Sequence, residues 1–480
     1  MRLSIFAAAH EAPQREALVC EGERLTFAAL ARRVRARAGQ LAALGVRPFD
    51  ARPVALVVDG SLAMFECLYL CLELAVPVLP LHPRLTAPER DYLVSLSSAQ
   101  CTIEPSQLEA VKEPPAMGWD FEAVPEDRTL ALVPSSGSTG RPKLVELSRR
   151  AFLALCRADA ERVPPRLDDR ALLCLPLSHV GGLSVVIRAL SARRCCVAFR
   201  AGSGGLLGSV PELAQCLIAE RITLLSLVPA VLARLVREAP ELASHAPLRA
   251  VLLGGQACSA ELFAAARERA LPVLTSYGLT EACSQVSTLA FPPPAAAPLK
   301  QGVVGVGFPL HGVEVRVVAG LIEVRGPTLF SGYLGQAAPV EEDGFFKTGD
   351  RGEFDQELGL FVFGRESELI ITGGENVDPS EVEHALLACV GVEAALVFGV
   401  PDPEFGEQVA AALELRPGRF DQQVLFAELD QRLASFKQPR ALCSFDTLPR
   451  LASGKLDRAQ IRALAAARLS PVVRGARAKG

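Results

Sequence analysis

The chain has 480 residues, of which 50% are hydrophobic and 22% are charged, a balance typical of a globular protein with a large buried core. Fifty basic residues against 54 acidic residues leave a formal net charge of −4, which excludes a global electrostatic attraction to nucleic acid or to an anionic membrane. At about 150 residues per domain, this length predicts two or three lobes.

The thirteen cysteines are scattered along the chain, and none stands in a C-x-x-C pair. This spacing argues against a disulfide framework or a zinc site. The apolar run at residues 3–9 is too weak for a signal peptide, so we expect a cytoplasmic protein. The most apolar stretch, residues 54–81, contains three carboxylates and predicts a buried helix flanked by strands, with no membrane span.

Helical spacing alternates with short apolar runs through the first half of the chain. The pattern predicts helices at 27–44 and 62–74 and strands at 53–58, 130–133, 171–175, 224–228 and 250–253. Such alternation predicts parallel sheets covered by helices. The last four strands are each followed by a Gly, Pro or Ser cluster, and ligands of open α/β sheets bind beyond such strand ends.

From Gly302 onward the sequence consists of β segments separated by glycines, at 313–318, 321–324 and 361–363. This pattern predicts a small β-rich subdomain. Beyond an expected boundary at 364–367, helices at 379–388, 424–434 and 458–468 and a strand at 394–400 predict a small α+β lobe. We therefore predict an α/β protein with a large N-terminal domain at 1–364, which includes the β-rich subdomain, and a small mobile C-terminal domain at 367–480.

Residues 135–143 read Ser-Ser-Gly-Ser-Thr-Gly-Arg-Pro-Lys and follow a predicted strand. Glycines let backbone amides turn toward phosphate oxygens, hydroxyls donate hydrogen bonds, and the lysine supplies positive charge. The stretch is not a Walker loop, because no Gly-Lys-Ser/Thr occurs in it. It therefore predicts a phosphate site, with a flexible surface linker as the alternative.

Three further segments place chemically useful side chains on turns. In residues 276–281, Tyr277 could stack on a base, Thr280 could bond a phosphate, and Glu281 could hold Mg²⁺. Asp350 follows Lys-Thr-Gly, a position from which a carboxylate accepts hydrogen bonds from ribose hydroxyls. Lys455 ends a Ser-Gly-Lys loop near the carboxyl terminus. Taken singly, each segment could equally be a capped surface turn.

In this order and spacing, the four segments resemble the acyl-adenylate-forming superfamily of acyl-CoA synthetases, peptide-synthetase adenylation domains and luciferases. The resemblance covers nearly the whole chain and extends to residues 80–86, 254–257, 326–327, 332–333, 364–365 and 373–379. It implies an enzyme that uses ATP and Mg²⁺ to activate a carboxylic acid, with CoA as co-substrate. Leu144 and Gln256 depart from the family pattern, because each replaces a glycine of it.

The resemblance implies a role for each matching residue. The ATP site would consist of Ser135, Ser136, Gly137, Ser138, Thr139, Gly140 and Lys143 at the β- and γ-phosphates, Gly254, Gly255, Gln256, Tyr277 and Gly278 around the adenine, and Asp350 and Arg365 at the ribose. Thr280 would contact the α-phosphate, and Glu281 would be the metal ligand.

The resemblance also assigns residues to the C-terminal lobe. Lys455 would bridge the acyl carboxylate and the α-phosphate, so that catalysis would rely on placed charge with no covalent enzyme intermediate. Ser367 would be the hinge between the lobes. Gly373 and Gly374 would contact CoA.

Within the superfamily, the chain most resembles the o-succinylbenzoate-CoA ligases of menaquinone biosynthesis, through its compact length and residues 175–184, 280–285 and 365–370. This resemblance implies that His179 lines the acyl pocket and takes part in catalysis. It also implies that Arg188 selects a second carboxylate, with Ser284 and Gln285 as neutral hydrogen-bond partners. The alternatives are a loop histidine satisfied by backbone and an arginine that reaches the surface or pairs with a structural carboxylate.

Other functions stay open from the sequence. They are a ligase for another aryl acid such as benzoate or anthranilate, a stand-alone adenylation enzyme that loads a carrier protein, and a nucleotide-binding regulator without turnover. Retention of Lys455 argues against the regulator, since a binder has no need of it. We expect small-molecule partners (the acid, ATP and CoA), no nucleic acid and no membrane span, and we leave a homodimer open. Arg193 and Arg194 are expected to be a solvated start of a strand.

Overall fold

The computed structural model describes residues 2–109, 124–135, 142–202, 205–240, 242–300, 302–372, 375–402, 405–416, 418, 420–451 and 454–472. The first 300 residues alternate helices with strands. The strands are β1 (Glu16–Cys20), β2 (Glu23–Thr26), β3 (Val54–Val57), β4 (Val78–Leu81), β5 (Cys101–Ile103), β6 (Thr129–Ser135), β7 (Lys143–Ser148), β8 (Arg170–Leu173), β9 (Cys195–Ala198), β10 (Leu224–Leu227), β11 (Ala250–Leu253), β12 (Val273–Tyr277), β13 (Ser287–Thr288) and β14 (Leu299–Lys300).

The helices of the same region include several that begin at a serine or threonine whose hydroxyl accepts a backbone N–H, as at Ser61 and Ser148. They are α1 (Ile5–Glu11), α2 (Phe27–Ala36), α3 (Ala38–Ala43), α4 (Leu62–Glu73), α5 (Ala87–Ser97), α6 (Arg149–Arg162), α7 (Val180–Ser191), α8 (Gly205–Gly208), α9 (Val210–Ala219), α10 (Pro229–Glu238), α11 (Leu242–His245) and α12 (Ala260–Glu268), with short 3₁₀ turns at Pro105–Gln107 and Thr280–Ala282.

Strands dominate residues 302–372, and the last part of the chain mixes both kinds of element. The strands are β15 (Val303–Val304), β16 (Phe308–Pro309), β17 (Glu314–Val318), β18 (Leu321–Arg325), β19 (Gly332–Tyr333), β20 (Gln336–Ala337), β21 (Phe346–Asp355), β22 (Gly359–Arg365), β23 (Ile370–Thr372), β24 (Glu375–Val377), β25 (Val392–Asp402), β26 (Gly406–Leu415), β27 (Ala441–Phe445) and β28 (Ser470–Pro471). The helices are α13 (Pro379–Leu387), α14 (Gln422–Arg432) and α15 (Arg458–Ala466), and a 3₁₀ turn spans Glu366–Glu368.

Two large sheets share one helical layer. A nine-stranded sheet has the order β16-β13-β12-β11-β10-β8-β9-β1-β2, and a seven-stranded sheet has the order β20-β19-β7-β6-β4-β3-β5. One hydrophobic core joins a face of each sheet to α2, α4, α6 and α7. Helices α9, α10 and α12 cover the other face of the nine-stranded sheet, and α5 covers the other face of the seven-stranded sheet. The predicted α/β class is therefore confirmed.

The apolar stretch at 54–81 forms β3, α4 and β4, as predicted, and α4 is buried over nearly its whole length. Its carboxylate Glu66 is fully buried, with Arg33 Nε 2.6 Å away and a second ion pair to Arg37. A buried carboxylate of this kind needs such partners. In the described residues, no helix has both the length and the apolar character to cross a membrane.

The sheets are less uniform than the sequence pattern predicts. The centre of the nine-stranded sheet, from β9 to β12, is parallel. Strands β1 and β2, β6 and β7, and β12 and β13 pair antiparallel. The helix predicted at 27–44 is divided into α2 and α3 at Arg37, whose buried side chain turns inward to Glu66.

The β-rich subdomain is the antiparallel sheet β17-β18-β21-β22. It brings Asp350 and Arg365 opposite each other as a cross-strand pair. The C-terminal lobe has its own sheet, in which β26 pairs with β25, β23 and β27. Helices α13 and α14 pack on one face of that sheet, and α15 packs on the other.

Candidate active site

The predicted motifs meet at the carboxyl edge of the nine-stranded sheet. Strands β10, β11 and β12 are parallel neighbours in register, so their carboxyl ends lie side by side. Val228 follows β10, Gly254 and Gly255 follow β11, and Tyr277 ends β12. This edge is where ligands of open α/β sheets bind.

A hydrogen-bonded triad joins this edge to the β-rich subdomain. The buried Tyr277 hydroxyl donates to Asp350 Oδ2 at 2.5 Å, and Arg365 Nε lies 2.7 Å from Asp350 Oδ1. Arg365 Nη1 donates to the Thr348 carbonyl at 3.0 Å. Burial raises the pKa of Asp350, and the Arg365 cation opposes that shift. The side chain of Arg365 is half exposed, so its guanidinium stands at the rim of the site, whereas Asp350 is buried.

Lys455 reaches the same edge from the C-terminal lobe. It follows a tight loop in which the Lys455 carbonyl accepts the Leu451 amide at 2.8 Å. Gly255 has φ +84°, and a Cβ placed there would lie 2.6 Å from Lys455 Cε and 3.1 Å from Nζ. Burial lowers the pKa of Lys455, and the nearby Arg365 cation lowers it further. The glycine turn therefore makes room for the lysine beside the triad.

A second polar group lies between the two large sheets. The Tyr333 hydroxyl donates to Glu281 Oε1 at 3.1 Å, and Lys143 Nζ lies 4.8 Å from the centre of the Tyr333 ring. Ser135 and Lys143 face each other across the β6-β7 pair. Lys143, the last residue of the predicted phosphate loop, thus lies near Glu281 through Tyr333. Ser136, Gly137, Ser138, Thr139 and Gly140 lie outside the described residues.

Glu281 lies in the 3₁₀ turn Thr280–Ala282, which starts just after the triad tyrosine. In the part of the chain that the structure describes, no cluster of three or more His, Cys, Asp or Glu side chains could hold a metal ion. A single carboxylate fits Mg²⁺, which is commonly bound by one or two carboxylates together with substrate phosphates.

The turn that carries Thr280 and Glu281 closes tightly. A Cβ at Gly278 would lie 1.4 Å from the Ser284 carbonyl oxygen, so a glycine is needed there. Cys283 and Ser284 both have positive φ, at 53° and 94°, and the Val286 amide donates to the Tyr277 carbonyl at 2.8 Å. The chain therefore reverses its direction directly after Tyr277. This reversal places Ser284 and Gln285 next to the carboxyl end of β12.

His179 is the N-cap of α7, which packs closely on the preceding loop because Gly182 has no Cβ. Burial lowers the pKa of His179 to about 4, and Lys455 and His82 act in the same direction. The imidazole is therefore neutral at pH 7. Because Lys455 is close enough to His179 to lower this pKa, the start of α7 lies at the same site as the nucleotide motifs.

Arg188 lines a cavity enclosed by α6, α7 and the nine-stranded sheet. Its Nη1 lies 2.7 Å from Asp159 Oδ1, and its Nε donates to the Ser184 carbonyl at 3.2 Å. Arg188 thus has a structural carboxylate partner and also faces the cavity, so the structure contains elements of both interpretations of this residue. The cavity lining consists of Asp159, Arg162, Val163, Ala171, Leu172, Val185, Arg188, Ala189, Arg194, Leu224, Leu225, Ser226, Ala250, Leu252, Leu274, Gln285 and Thr288.

The other two residues assigned to the acid lie close to this cavity. Ser284 Oγ accepts a hydrogen bond from Ser184 Oγ at 3.5 Å, and Ser184 lies in the first half of α7. Gln285 lines the cavity, and its Nε2 donates to Thr288 Oγ1 at 3.2 Å. Its Oε1 is buried and has no hydrogen-bond partner.

The expectation that Arg193 and Arg194 are solvated is wrong. Both residues are buried, with 8% and 4% exposure. Arg193 Nε lies 2.8 Å from Glu11 Oε2, and Arg194 lines the cavity. The sequence also carried no sign of Asp159, because its partner lies on another helix 29 residues later.

The expected hinge position lies between the two lobes. Ser367 is part of the 3₁₀ turn Glu366–Glu368 that directly follows β22. Beyond the turn, Asp378 Oδ2 of the C-terminal lobe lies 2.9 Å from Arg351 Nη1 of the β-rich subdomain. The residues expected to contact CoA, Gly373 and Gly374, lie outside the described residues.

Comparison with known families decides the class of this site. The model of the AMP-binding enzymes matches residues 5–334, and that of the AMP-binding enzyme C-terminal domain matches residues 381–455. The chain belongs to the AMP-binding enzyme family. As in the sequence resemblance, the match spans both lobes of this AMP-binding enzyme.

Relatives of this AMP-binding enzyme share one name. The 2-succinylbenzoate–CoA ligase of Bacillus pumilus is 32% identical over 485 residues, covering 95% of this chain and 96% of that protein. The 2-succinylbenzoate–CoA ligase of Bacillus licheniformis is also 32% identical, with coverage of 93% and 96%.

Solved structures of a Bacillus subtilis relative give two levels of similarity. Its o-succinylbenzoate CoA synthetase (MenE) in complex with the acyl-adenylate intermediate OSB-AMP has a TM-score of 0.84 at 30% identity, covering 95% of this chain and 97% of that one. A double mutant of the same synthetase, bound to the product analogue OSB-NCoA, has a TM-score of 0.69 at 30% identity, with coverage of 96% and 98%.

Proposed function

We propose that this AMP-binding enzyme is an ATP-dependent acid–CoA ligase for o-succinylbenzoate. In the first half-reaction, a carboxylate oxygen attacks the α-phosphorus of ATP, the bond from that phosphorus to the α,β-bridging oxygen breaks, and pyrophosphate leaves, which gives acyl-AMP. In the second, the CoA thiol loses its proton to water and its sulfur attacks the acyl carbon, AMP leaves with the electrons of the broken carbon–oxygen bond, and the thioester forms. This activity would place the chain in menaquinone biosynthesis.

The observation that carries this proposal is the position of Lys455 against Gly255, beside the Tyr277–Asp350–Arg365 triad. Negative charge accumulates on the acyl and α-phosphate oxygens as the carboxylate attacks. A preorganised cation at that point stabilises the transition state more than the ground state. Stabilisation of this charge is the step of the reaction that requires a lysine of the C-terminal lobe at the carboxyl edge of the nine-stranded sheet.

The same geometry supports a proposed role for each of the remaining nucleotide-binding residues. Asp350 and Arg365 would hold the ribose hydroxyls, Tyr277 would face the adenine, and Thr280 would bond the α-phosphate. Residues 135–143 would surround the outer phosphates. Glu281 would hold Mg²⁺, which when bound neutralises phosphate charge.

The acid would enter along α7, past the neutral imidazole of His179. Arg188 would meet the carboxylate of o-succinylbenzoate that does not react, and Ser284 and Gln285 would bond the same group. Support comes from the position of Arg188, which is already held in the cavity by Asp159 and Ser184. A guanidinium fixed in this way loses little further freedom when a carboxylate binds.

We also propose that the lobes at 1–364 and 367–480 change their relative arrangement about Ser367 between the half-reactions. The two Bacillus subtilis complexes support this, since this chain matches the OSB-AMP complex with a TM-score of 0.84 and the OSB-NCoA complex with only 0.69 at equal identity. In the arrangement of this structure Lys455 lies at the nucleotide edge. We propose that it corresponds to the adenylate-forming step.

The test is product analysis with o-succinylbenzoate, MgATP and CoA. The proposal predicts the CoA thioester, AMP and pyrophosphate in equal amounts. Benzoate and anthranilate serve as competing acids, and a higher kcat/KM for either would reassign the substrate. Pyrophosphate exchange without any CoA thioester would point to loading of a carrier protein. Formation of ADP, or no exchange with any acid, would refute the ligase.

A further inference from the structure

The cavity that Arg188 lines is called the acid cavity below. Among the described residues around it, the guanidiniums of Arg188, Arg194 and Arg249 outnumber the carboxylates of Asp159 and Asp169. Asp159 pairs with Arg188 at 2.7 Å. Asp169, which is fully buried, accepts hydrogen bonds from Arg249 Nη1 at 2.9 and 3.0 Å. In this described network, the guanidinium of Arg194 is thus left without a carboxylate of its own.

The surroundings of Arg194 offer its guanidinium few polar partners. Its closest ion-pair contact is 3.5 Å, from Nε to Asp169 Oδ2, and neither Nε nor Nη2 has a hydrogen-bond partner. Asp169 is already occupied, since it also accepts from the Thr223 hydroxyl at 2.9 Å and from the Arg166 amide at 2.8 Å. Burial lowers the pKa of Arg194 against the opposing effect of Asp159 and Asp169. A buried cation in this state is costly unless an anion meets it.

Other cavity groups also suit an anion. Arg162 lines the cavity, and its Nη2 donates only to neutral carbonyls, those of Phe308 and Pro309, at 3.3 Å. Rotation of the Gln285 amide by 180° would turn its NH₂ toward the side that Oε1 occupies, while Oε1 could accept from the Thr288 hydroxyl. The rest of the lining is mostly aliphatic, including Val185, Leu225 and Leu252. The cavity therefore combines an apolar wall with two guanidiniums, of Arg162 and Arg194, for which the described contacts include no hydrogen bond to a carboxylate.

We propose that Arg194 is a further specificity-determining residue, which together with Arg188 binds the non-reacting carboxylate of the acid and so makes the cavity selective for dicarboxylates. This inference rests on the proposed function. Guanidinium and carboxylate groups match in geometry, and two guanidiniums can each donate to a different oxygen of one carboxylate. Arg188 alone is neutralised by Asp159, so the second guanidinium supplies the net charge that distinguishes a diacid from a monoacid.

The test is Arg194→Met, with Arg249→Met as the matched control from the same network. The diacid is o-succinylbenzoate, and the monoacid is 4-oxo-4-phenylbutanoate, which keeps the aliphatic carboxylate and lacks the carboxylate on the ring. A monoacid that is not turned over is measured as a competitor. For Arg194→Met we expect kcat/KM for the diacid to fall by about tenfold or more, the effect of losing a charge-assisted hydrogen bond. The constant for the monoacid should change by less than about threefold.

Thermal unfolding without ligand separates this role from a structural one. Arg194→Met removes an unpaired buried charge, so its Tm should equal or exceed that of the wild type. Arg249→Met leaves Asp169 buried without its main partner, so its Tm should fall, and this fall is the reference for a structural loss in the same network. Arg194→Lys keeps the charge and should retain part of the preference.

Three results with Arg194→Met would overturn the inference. They are equal losses for diacid and monoacid in Arg194→Met, a diacid loss below about threefold, and a fall in Tm as large as that of Arg249→Met. A wild type that turns over a monoacid better than the diacid would also defeat it, yet the ligase would stand. A wild type that activates no acid at all would defeat the proposed function itself.

Discussion

The nucleotide edge and the acid cavity of this AMP-binding enzyme are built in opposite ways. At the edge, the tyrosine, carboxylate and guanidinium of the triad bond one another before any ligand is present. In the cavity, Arg194 Nε and Nη2 and Gln285 Oε1 are buried without partners. Under the proposed function, the first arrangement would hold a fixed geometry for a nucleotide. The second would leave hydrogen-bonding capacity for the carboxylic acid.

The largest expected effect is at the edge. Lys455→Ala should reduce adenylate formation by a hundredfold or more, since removing a charge that stabilises the transition state costs about 3 kcal/mol. Folding and ATP binding should change little. The measurement is acid-dependent pyrophosphate exchange, with thioester formation from supplied acyl-AMP as the second readout.

Lys347→Ala is the matched control, because Lys347 lies on β21 near Asp350 but pairs with Glu341 at the surface. It should leave both half-reactions unchanged. If Lys455→Ala slows thioester formation from acyl-AMP as much as it slows exchange, the assigned role of Lys455 is wrong.

The triad itself gives the next effect. Asp350→Asn should raise the KM for ATP by ten- to a hundredfold, because hydrogen bonds to a charged group contribute about 1.5–3 kcal/mol. The KM for the acid should stay within about twofold. Tyr277→Phe removes only the donor to Asp350 and should have a smaller effect in the same direction. Steady-state kinetics with each substrate varied would show this, and an equal rise of both KM values would contradict the separation of the two regions.

In the acid cavity, Arg188→Leu should raise the KM for o-succinylbenzoate by about tenfold, the effect of losing one charge-assisted hydrogen bond. It also leaves Asp159 buried and unpaired, so Tm should fall. Arg188→Leu combined with Asp159→Asn should recover Tm without recovering KM. Recovery of both would mean that Arg188 only neutralises Asp159.

The smallest effect concerns the turn that accommodates Lys455. Gly255→Ala introduces a Cβ within 2.6 Å of Lys455 Cε, which the flexible lysine can partly avoid, so exchange should fall by about fivefold, or about 1 kcal/mol. Gly320→Ala is the control, because Gly320 has φ +80° with no atom within 4 Å of an added Cβ. Both variants bear the same backbone strain. Equal activity of the two would exclude the contact with Lys455 from catalysis.

Sequence periodicity predicted the fold where elements are long or buried. The strands expected at 224–228 and 250–253 and the helix expected at 62–74 are present within one residue at each end. The direction in which strands pair was not accessible in the same way. Strand β7 turns back against β6, and this choice depends on partners far away in the chain that periodicity does not register.

The site residues divide in a similar way, into those that stand in recognisable short motifs and those whose position depends on the tertiary structure. Tyr277, Asp350, Arg365 and Lys455 stand in short motifs, so the sequence identified them, and the structure brings them to one edge. Arg194 stands in no motif, and a pair of arginines beside a strand is typical of a solvated surface. Its burial arises only when α6 and α7 close over the nine-stranded sheet, which is a tertiary event. The roles of all these residues remain predictions for the experiments above.

The most direct test of the central claim is to follow the carboxylate oxygens. The enzyme is given o-succinylbenzoate labelled with ¹⁸O in both carboxylates, together with MgATP and CoA, and the products are analysed by mass spectrometry. Formation of an acyl-AMP followed by thiol attack predicts one ¹⁸O atom in each AMP and none in pyrophosphate. Unlabelled AMP, or label in pyrophosphate or inorganic phosphate, would contradict the acyl-adenylate mechanism.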